Sequence, residues 1–170
     1  GDVYKRQVRN RGTIGGSVAN SDPAADYPAA VIGLGATVNT NARQIPADDY
    51  FQDLFETALE PGEIITRIDF PVPTRAAYRK FPNPASRYAV VGVLVADFDG
   101  RIRVGITGAG PCAFRGTALE VALQADLDPA AIESVEVPDA GFNNDLHASA
   151  EYRAHLVKVM AKRATADLLS

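Results

Sequence analysis

From Ala89 to Asp97 apolar residues run almost without a break and valine recurs, which predicts a strand covered on both faces. Asp99-Gly100 follows, a dipeptide suited to a tight hairpin, and Arg101 to Gly108 alternates as the returning partner. An antiparallel pair is expected there. Upstream, Ala36 to Thr40 alternates and is rich in β-formers, Asn41-Ala42 reads as a turn, and a partner strand is expected around Arg43 to Ile45. Glu63 to Phe70 gives a further strand, stopped by Pro71-Val72-Pro73, whose prolines remove backbone donors.

Helical spacing appears in other stretches. Asp22-Pro23 reads as a helix start, with apolar positions through Ala24, Ala25, Ala29, Ala30, Val31 and Leu34, an interruption at Pro28, and Gly33 and Gly35 at the end. Asp48 to Phe55 reads as a short helical or irregular piece whose acids cap or solvate a surface turn. Thr117 to Gln124 predicts a helix, and Asp128-Pro129 starts another through about Val135. From His147 or Ala148 onward Tyr152, Leu156, Val159, Met160 and Arg163 recur at helical spacing, giving the longest amphipathic helix, with Lys158, Lys162 and Arg163 placed to favour its dipole. The fold class expected is α+β, with a domain boundary at the proline pair: residues 1–73 before it, and 74–170 after it as a layered domain of antiparallel strands plus about three helices.

Composition narrows the function. A net charge of −4 argues against an electrostatic grip on nucleic acid or an anionic membrane. No apolar run approaches the roughly 20 residues that span a bilayer, so the expected compartment is cytoplasmic. The lone cysteine, Cys112, forms no intrachain disulfide and houses no iron–sulfur cluster. His147 and His155 have no clustered partners and make no metal site. Gly105, Gly108 and Gly110 follow a hairpin, lack dinucleotide-fingerprint spacing, and read as structural. No nucleophile and base arrangement appears, so any redox or transfer chemistry needs a cofactor.

The candidate chemistry lies at Thr13-Ile14-Gly15-Gly16-Ser17. Adjacent glycines let a turn bring consecutive N–H groups against an anionic ligand, and Thr13 and Ser17 add hydroxyls. Asp26 supplies an acceptor suited to a ribose or ribityl hydroxyl. A second cluster, Lys80, Pro82, Pro84, Ser86 and Tyr88, is expected on one loop.

The run from Val8 to Pro28, including Asn20 and Asp22-Pro23-Ala24-Ala25-Asp26-Tyr27-Pro28, resembles the second flavin-binding motif of the FAD subunit of molybdenum hydroxylases. It is most similar to the medium subunit of aerobic carbon monoxide dehydrogenase, also called xanthine dehydrogenase family subunit M. Glu63 to Thr66, Lys80 to Val91, Gly108-Ala109-Gly110-Pro111 with Phe114-Arg115, and Ala148 to Arg153 with His155-Leu156 fall in that family's order. The resemblance implies the second sub-domain of a PCMH-type FAD-binding fold, followed by a carbon monoxide dehydrogenase flavoprotein C-terminal-like domain. It places Thr13 to Ser17 on the flavin or its ribityl and phosphate oxygens and makes Asp26 an acceptor for the cofactor. Ile65 would press on the ring system, Lys80 would sit near its polar edge, and Tyr88 would stack on or border it.

It also implies an electron-transfer role. Molybdopterin sits on a large partner subunit, 2Fe-2S clusters sit on a small one, and the flavin passes electrons to an external acceptor. The family's earlier glycine-rich pyrophosphate turn does not occur here, and Gly1 to Gln7 read as foreign, so a piece of a longer subunit is expected, one that alone retains little FAD. Relatives often carry an acid just before the Tyr88 position, where this chain has Ser86-Arg87. The rival readings are a non-enzymatic α+β interaction domain in which the Gly-Gly turn is structural, and a two-domain flavin oxidase acting without partners.

Overall fold

The computed structural model describes residues 10–170, so the expectation for Gly1 to Gln7 lies outside the described residues. Short helices α1 (Ile14–Asn20) and α2 (Tyr27–Gly33) lead into strands β1 (Thr37–Thr40) and β2 (Gln44–Pro46) and a 3-10 turn, Ala47–Asp49. A small hairpin, β3 (Phe51–Asp53) and β4 (Glu56–Thr57), precedes β5 (Ile65–Asp69). The second half runs β6 (Arg75–Pro82), β7 (Ala89–Phe98), β8 (Arg101–Thr107), β9 (Phe114–Arg115), α3 (Thr117–Ala125), a 3-10 turn Pro129–Ile132, and α4 (Ala150–Leu169). All strand pairs are antiparallel, in sheets ordered β2-β1-β5, β3-β4 and β6-β7-β8-β9. The fold is α+β.

The sheet β6-β7-β8-β9 organises both halves, because helices cover both of its faces. On one face Val91, Val93, Val95, Ile102, Val104 and Ile106 pack against Leu119 and Leu123 of α3 and Leu156, Val157, Met160 and Ala161 of α4. On the other, Leu94 and Ala96 pack against Ala29 of α2. Double coverage explains the unbroken apolar run of β7. Asp99 and Gly100 turn the hairpin with φ of 52° and 91°, the left-handed pair that matches the strands' twist. A smaller core of Val18, Val31, Val38, Ile45 and Tyr50 lies under β1, β2 and β5.

Helix α2 sits unusually close to β8. A Cβ on Gly105 would collide with the Ala29 carbonyl and stand 2.5 Å from the Gly33 nitrogen, so only a bare backbone admits the helix.

Four expectations are corrected. Helix α2 starts at Tyr27 with Pro28 in its first turn, where a missing N–H breaks no bond, so Pro28 helps to begin the helix. Asp22 instead accepts from Ala24 N at 2.9 Å in a local turn. Asp128-Pro129 opens only the 3-10 turn, giving two α-helices in the second half where about three were expected. The buried stripe of α4 runs through Arg153, Leu156, Val157, Met160, Ala161, Ala164 and Leu168, whereas Tyr152 and Arg163 are exposed. Lys158 and Lys162 reach Glu133 across the surface, which places them by a partner and not by the helix end.

Asp48 gives a further correction. It solvates no turn but bridges two arginines of the other sheet, Arg103 at 2.5 Å and Arg115 at 3.0 Å. Arg103, with only 9% of its side chain exposed, also donates to the Ile32 carbonyl at 2.8 Å. This clasp joins the two halves of the chain.

Candidate functional site

Thr13 is the N-cap of α1, and its Oγ1 accepts from Gly16 N at 3.0 Å. Among the described residues the positive-φ glycines are Gly35, Gly62, Gly100, Gly108 and Gly141, and Gly15 and Gly16 form the first turn of a helix where a glycine turn was expected. The cap hydroxyl and the fully buried Val18 offset the roughly 1 kcal/mol that each glycine costs in a helix. The chemistry survives by another route. N–H groups at a helix start lack intrahelical partners, and those of Ile14 and Gly15 donate to no acceptor among the described residues. Thr13, Ile14 and Gly16 are exposed, and Gly15 and Ser17 are half-buried.

Beside that helix start runs β5. A Cβ built on Gly15 would lie 3.9 Å from Ile65 Cβ and Cγ2, so the glycine leaves a notch floored by backbone and flanked by the Ile65 side chain. These two sequence-predicted residues are therefore neighbours.

Asp26 and Lys80 also meet. Asp26 is the N-cap of α2 but makes no capping bond with its side chain. Its carboxylate instead accepts from Lys80 Nζ, at 3.0 Å through Oδ1 and 2.8 Å through Oδ2, and from the Tyr78 hydroxyl at 2.7 Å through Oδ1. The pair is partly buried, with 20% of the Lys80 and 35% of the Asp26 side chain exposed. Lys80 lies on strand β6 opposite Gly92, not on the expected loop. Alternation along β6 turns Tyr78 and Lys80 toward Asp26, while Arg79 pairs with Asp167 of α4 and Phe81 packs edge-on against Tyr152. Burial, and then the nearby Asp26 charge, push the Tyr78 hydroxyl well above the usual tyrosine range, so it remains a proton donor.

The loop itself spans 83–88. Asn83 Oδ1 accepts from Ala85 N and Ser86 N, Asn83 N donates to the Tyr88 carbonyl at 2.7 Å, and Arg87 takes φ of 65°. Tyr88 is half-buried and lines a pocket of about 250 Å3 together with Asp22, Pro23, Asn83, His147 and Arg153; Lys80 is not part of its wall. Arg153, 4% exposed, donates to the Val90 and Gly108 carbonyls at 2.7 and 2.8 Å and pairs with Asp145.

The segment from Asp22 to Asp26 connects these places, and the sheet holds it. Ala89 N donates to the Ala24 carbonyl at 3.1 Å, Gly108 N to the Pro23 carbonyl at 2.6 Å, and Thr107 Oγ1 to the Pro23 and Ala25 carbonyls at 2.7 and 2.9 Å. Sequence reasoning missed Tyr78 and Thr107. The two-residue spacing of Tyr78 from Lys80, which puts both on one face of a strand, was the available signal for the first. Nothing local marks Thr107.

Residues 2–73 match the sequence pattern described as the FAD binding domain in molybdopterin dehydrogenase. They belong to that family. The likeness to known proteins extends beyond this FAD-binding domain into the second half of the chain. The chain is 32% identical, over 96% of its length, to the 6-hydroxypseudooxynicotine dehydrogenase complex subunit alpha of Paenarthrobacter nicotinovorans, of which it covers 61%. It is 36% identical over 93% of its length to the carbon monoxide dehydrogenase medium chain of Afipia carboxidovorans, of which it covers 60%. A chain of the reconstituted CO dehydrogenase from Oligotropha carboxidovorans superposes with a TM-score of 0.83 at 31% identity, covering 95% of this chain and 62% of that one. The chain thus spans about 60% of the length of these relatives. Among the described residues no helix is long and apolar enough to cross a membrane, and no group of three or more acids, histidines or cysteines could hold a metal ion.

Proposed function

We propose that this chain is the flavin-holding part of an electron-transfer subunit of a molybdenum hydroxylase, passing electrons from iron–sulfur clusters on a small partner subunit to an external acceptor. A large molybdopterin subunit oxidises the substrate, and the complex works in the cytoplasm. Residues 1–73 serve as the closing part of the FAD-binding domain and 74–170 as the C-terminal domain of a carbon monoxide dehydrogenase-like flavoprotein.

The observation that carries this reading is the bare helix start at Thr13 to Ser17, exposed beside Ile65 within the stretch that matches the FAD-binding family. Its donors fit the cofactor: the N–H groups of Ile14 and Gly15, which meet no acceptor among the described residues, and the Ser17 hydroxyl suit phosphate or ribityl oxygens. When bound, FAD supplies a carrier that accepts electrons from one partner and gives them to another. Ile65 excludes water from the apolar face of the site. Lys80 has one ammonium hydrogen beyond the two that Asp26 takes, and its charge would favour a reduced, negatively charged flavin held beside it. Asp26 holds that ammonium in place and keeps acceptor capacity for a hydroxyl. Tyr88 offers a ring face at the loop.

The full-length protein, purified after expression with its neighbouring genes, is expected to be yellow, to release FAD on denaturation and to bring two further subunits with it. A colourless, folded full-length protein would overturn the reading.

A further inference from the structure

We infer that Tyr78 is a positioning residue of the flavin site, holding the Asp26 carboxylate so that Lys80 keeps a fixed orientation. This deepens the function proposed above and rests on it. The geometry is specific. Oδ1 of Asp26 takes both the Tyr78 hydroxyl, at 2.7 Å, and Lys80 Nζ, at 3.0 Å, while Oδ2 takes Lys80 alone, at 2.8 Å. A carboxylate with a single lysine partner can swing about that contact, because an ammonium is a point charge without directional preference. The second donor fixes its plane.

The chain makes room for this donor. A Cβ on Gly92, opposite Lys80 in the β6–β7 register, would collide with the Tyr78 hydroxyl and stand 3.0 Å from its Cε2. Glycine in a central strand weakens the sheet, and here its absent side chain is the space the phenol occupies. Tyr78 also anchors the partly buried Asp26–Lys80 pair across the join between α2 and β6. Without its hydroxyl, Asp26 carries more uncompensated negative charge and draws Lys80 closer, leaving less positive charge for a reduced cofactor.

The test is Tyr78→Phe in the FAD-loaded full-length protein, read by potentiometric titration of the bound flavin and by FAD dissociation. The variant is expected to release FAD about tenfold more readily. It should also bind the reduced form about tenfold less well relative to the oxidised form, a fall in midpoint potential of about 30 mV for a two-electron couple. A merely structural tyrosine would lower thermal stability and shift no potential. Gly92→Ala, which displaces the hydroxyl from the other side, should lower the potential as Tyr78→Phe does. An unchanged potential in either folded variant overturns the inference while leaving the flavin reading standing. A wild-type protein without FAD removes both.

Discussion

The Lys80 ammonium donates to both oxygens of the Asp26 carboxylate, at 3.0 and 2.8 Å, and so ties the start of α2 to the middle of β6. The two residues lie 54 positions apart and on opposite sides of the expected domain boundary. A cofactor contacting either residue would feel the charge of both.

Removing the ammonium is therefore expected to lower the flavin potential. In Lys80→Met the negative Asp26 stays behind with only Tyr78 as donor, so the site loses a cation and exposes an anion. Potentiometry of the full-length variant against wild type should show a drop of several tens of millivolts, about one to two decades of relative affinity. An unchanged or higher potential would remove Lys80 from the site.

Gly15→Ala is expected to separate folding from cofactor retention. The new Cβ meets Ile65 at an ordinary 3.9 Å, so the protein itself has room for it, and thermal unfolding should move by no more than about 1 kcal/mol. The notch beside Ile65 would nevertheless be filled. The purified full-length variant should then be folded and nearly free of FAD; normal flavin occupancy would contradict the placement.

Gly105→Ala tests how the halves are packed. Its Cβ cannot coexist with the Ala29 carbonyl, so α2 must shift off β8, at an expected loss of about 2–4 kcal/mol by denaturant titration. Unchanged stability would mean that the helix sits further from the sheet.

Acid should loosen the same join. Burial raises the Asp48 pKa, but Arg103 and Arg115 together outweigh it and leave the carboxylate below its usual range; Asp145 is likewise lowered, against burial, by the His147 and Ala148 amides and by Arg153. Groups depressed in the folded state contribute stability above their unfolded pKa of about 3.9 and lose it as pH falls through the lower folded value. Melting temperature is thus expected to be steady from neutrality to about pH 5 and to fall steeply below about pH 4. Asp48→Ala, which leaves Arg103 buried without its acid, should cost about 2 kcal/mol at neutral pH and soften the acid drop. A variant with the wild-type acid profile would show that the clasp contributes nothing.

Much of this protein was legible in its residues. The valine run at Ala89 to Asp97, the Asp99-Gly100 hairpin and the strand at Ala36 to Thr40 follow from local pattern and turn chemistry, because period and backbone preference act over a few neighbours. The FAD-binding family was visible for the same reason: its pattern matches one continuous stretch, residues 2–73. What local pattern did not decide was competition between partners. Thr13 capping turned the expected Gly-Gly loop into a helix start, Asp48 went to two distant arginines, and Asp26 and Lys80, read separately as cofactor contacts, proved to hold each other with Tyr78. A charged side chain goes to whichever opposite charge the folded backbone brings within about 3 Å, and that distance is set by packing across the whole chain.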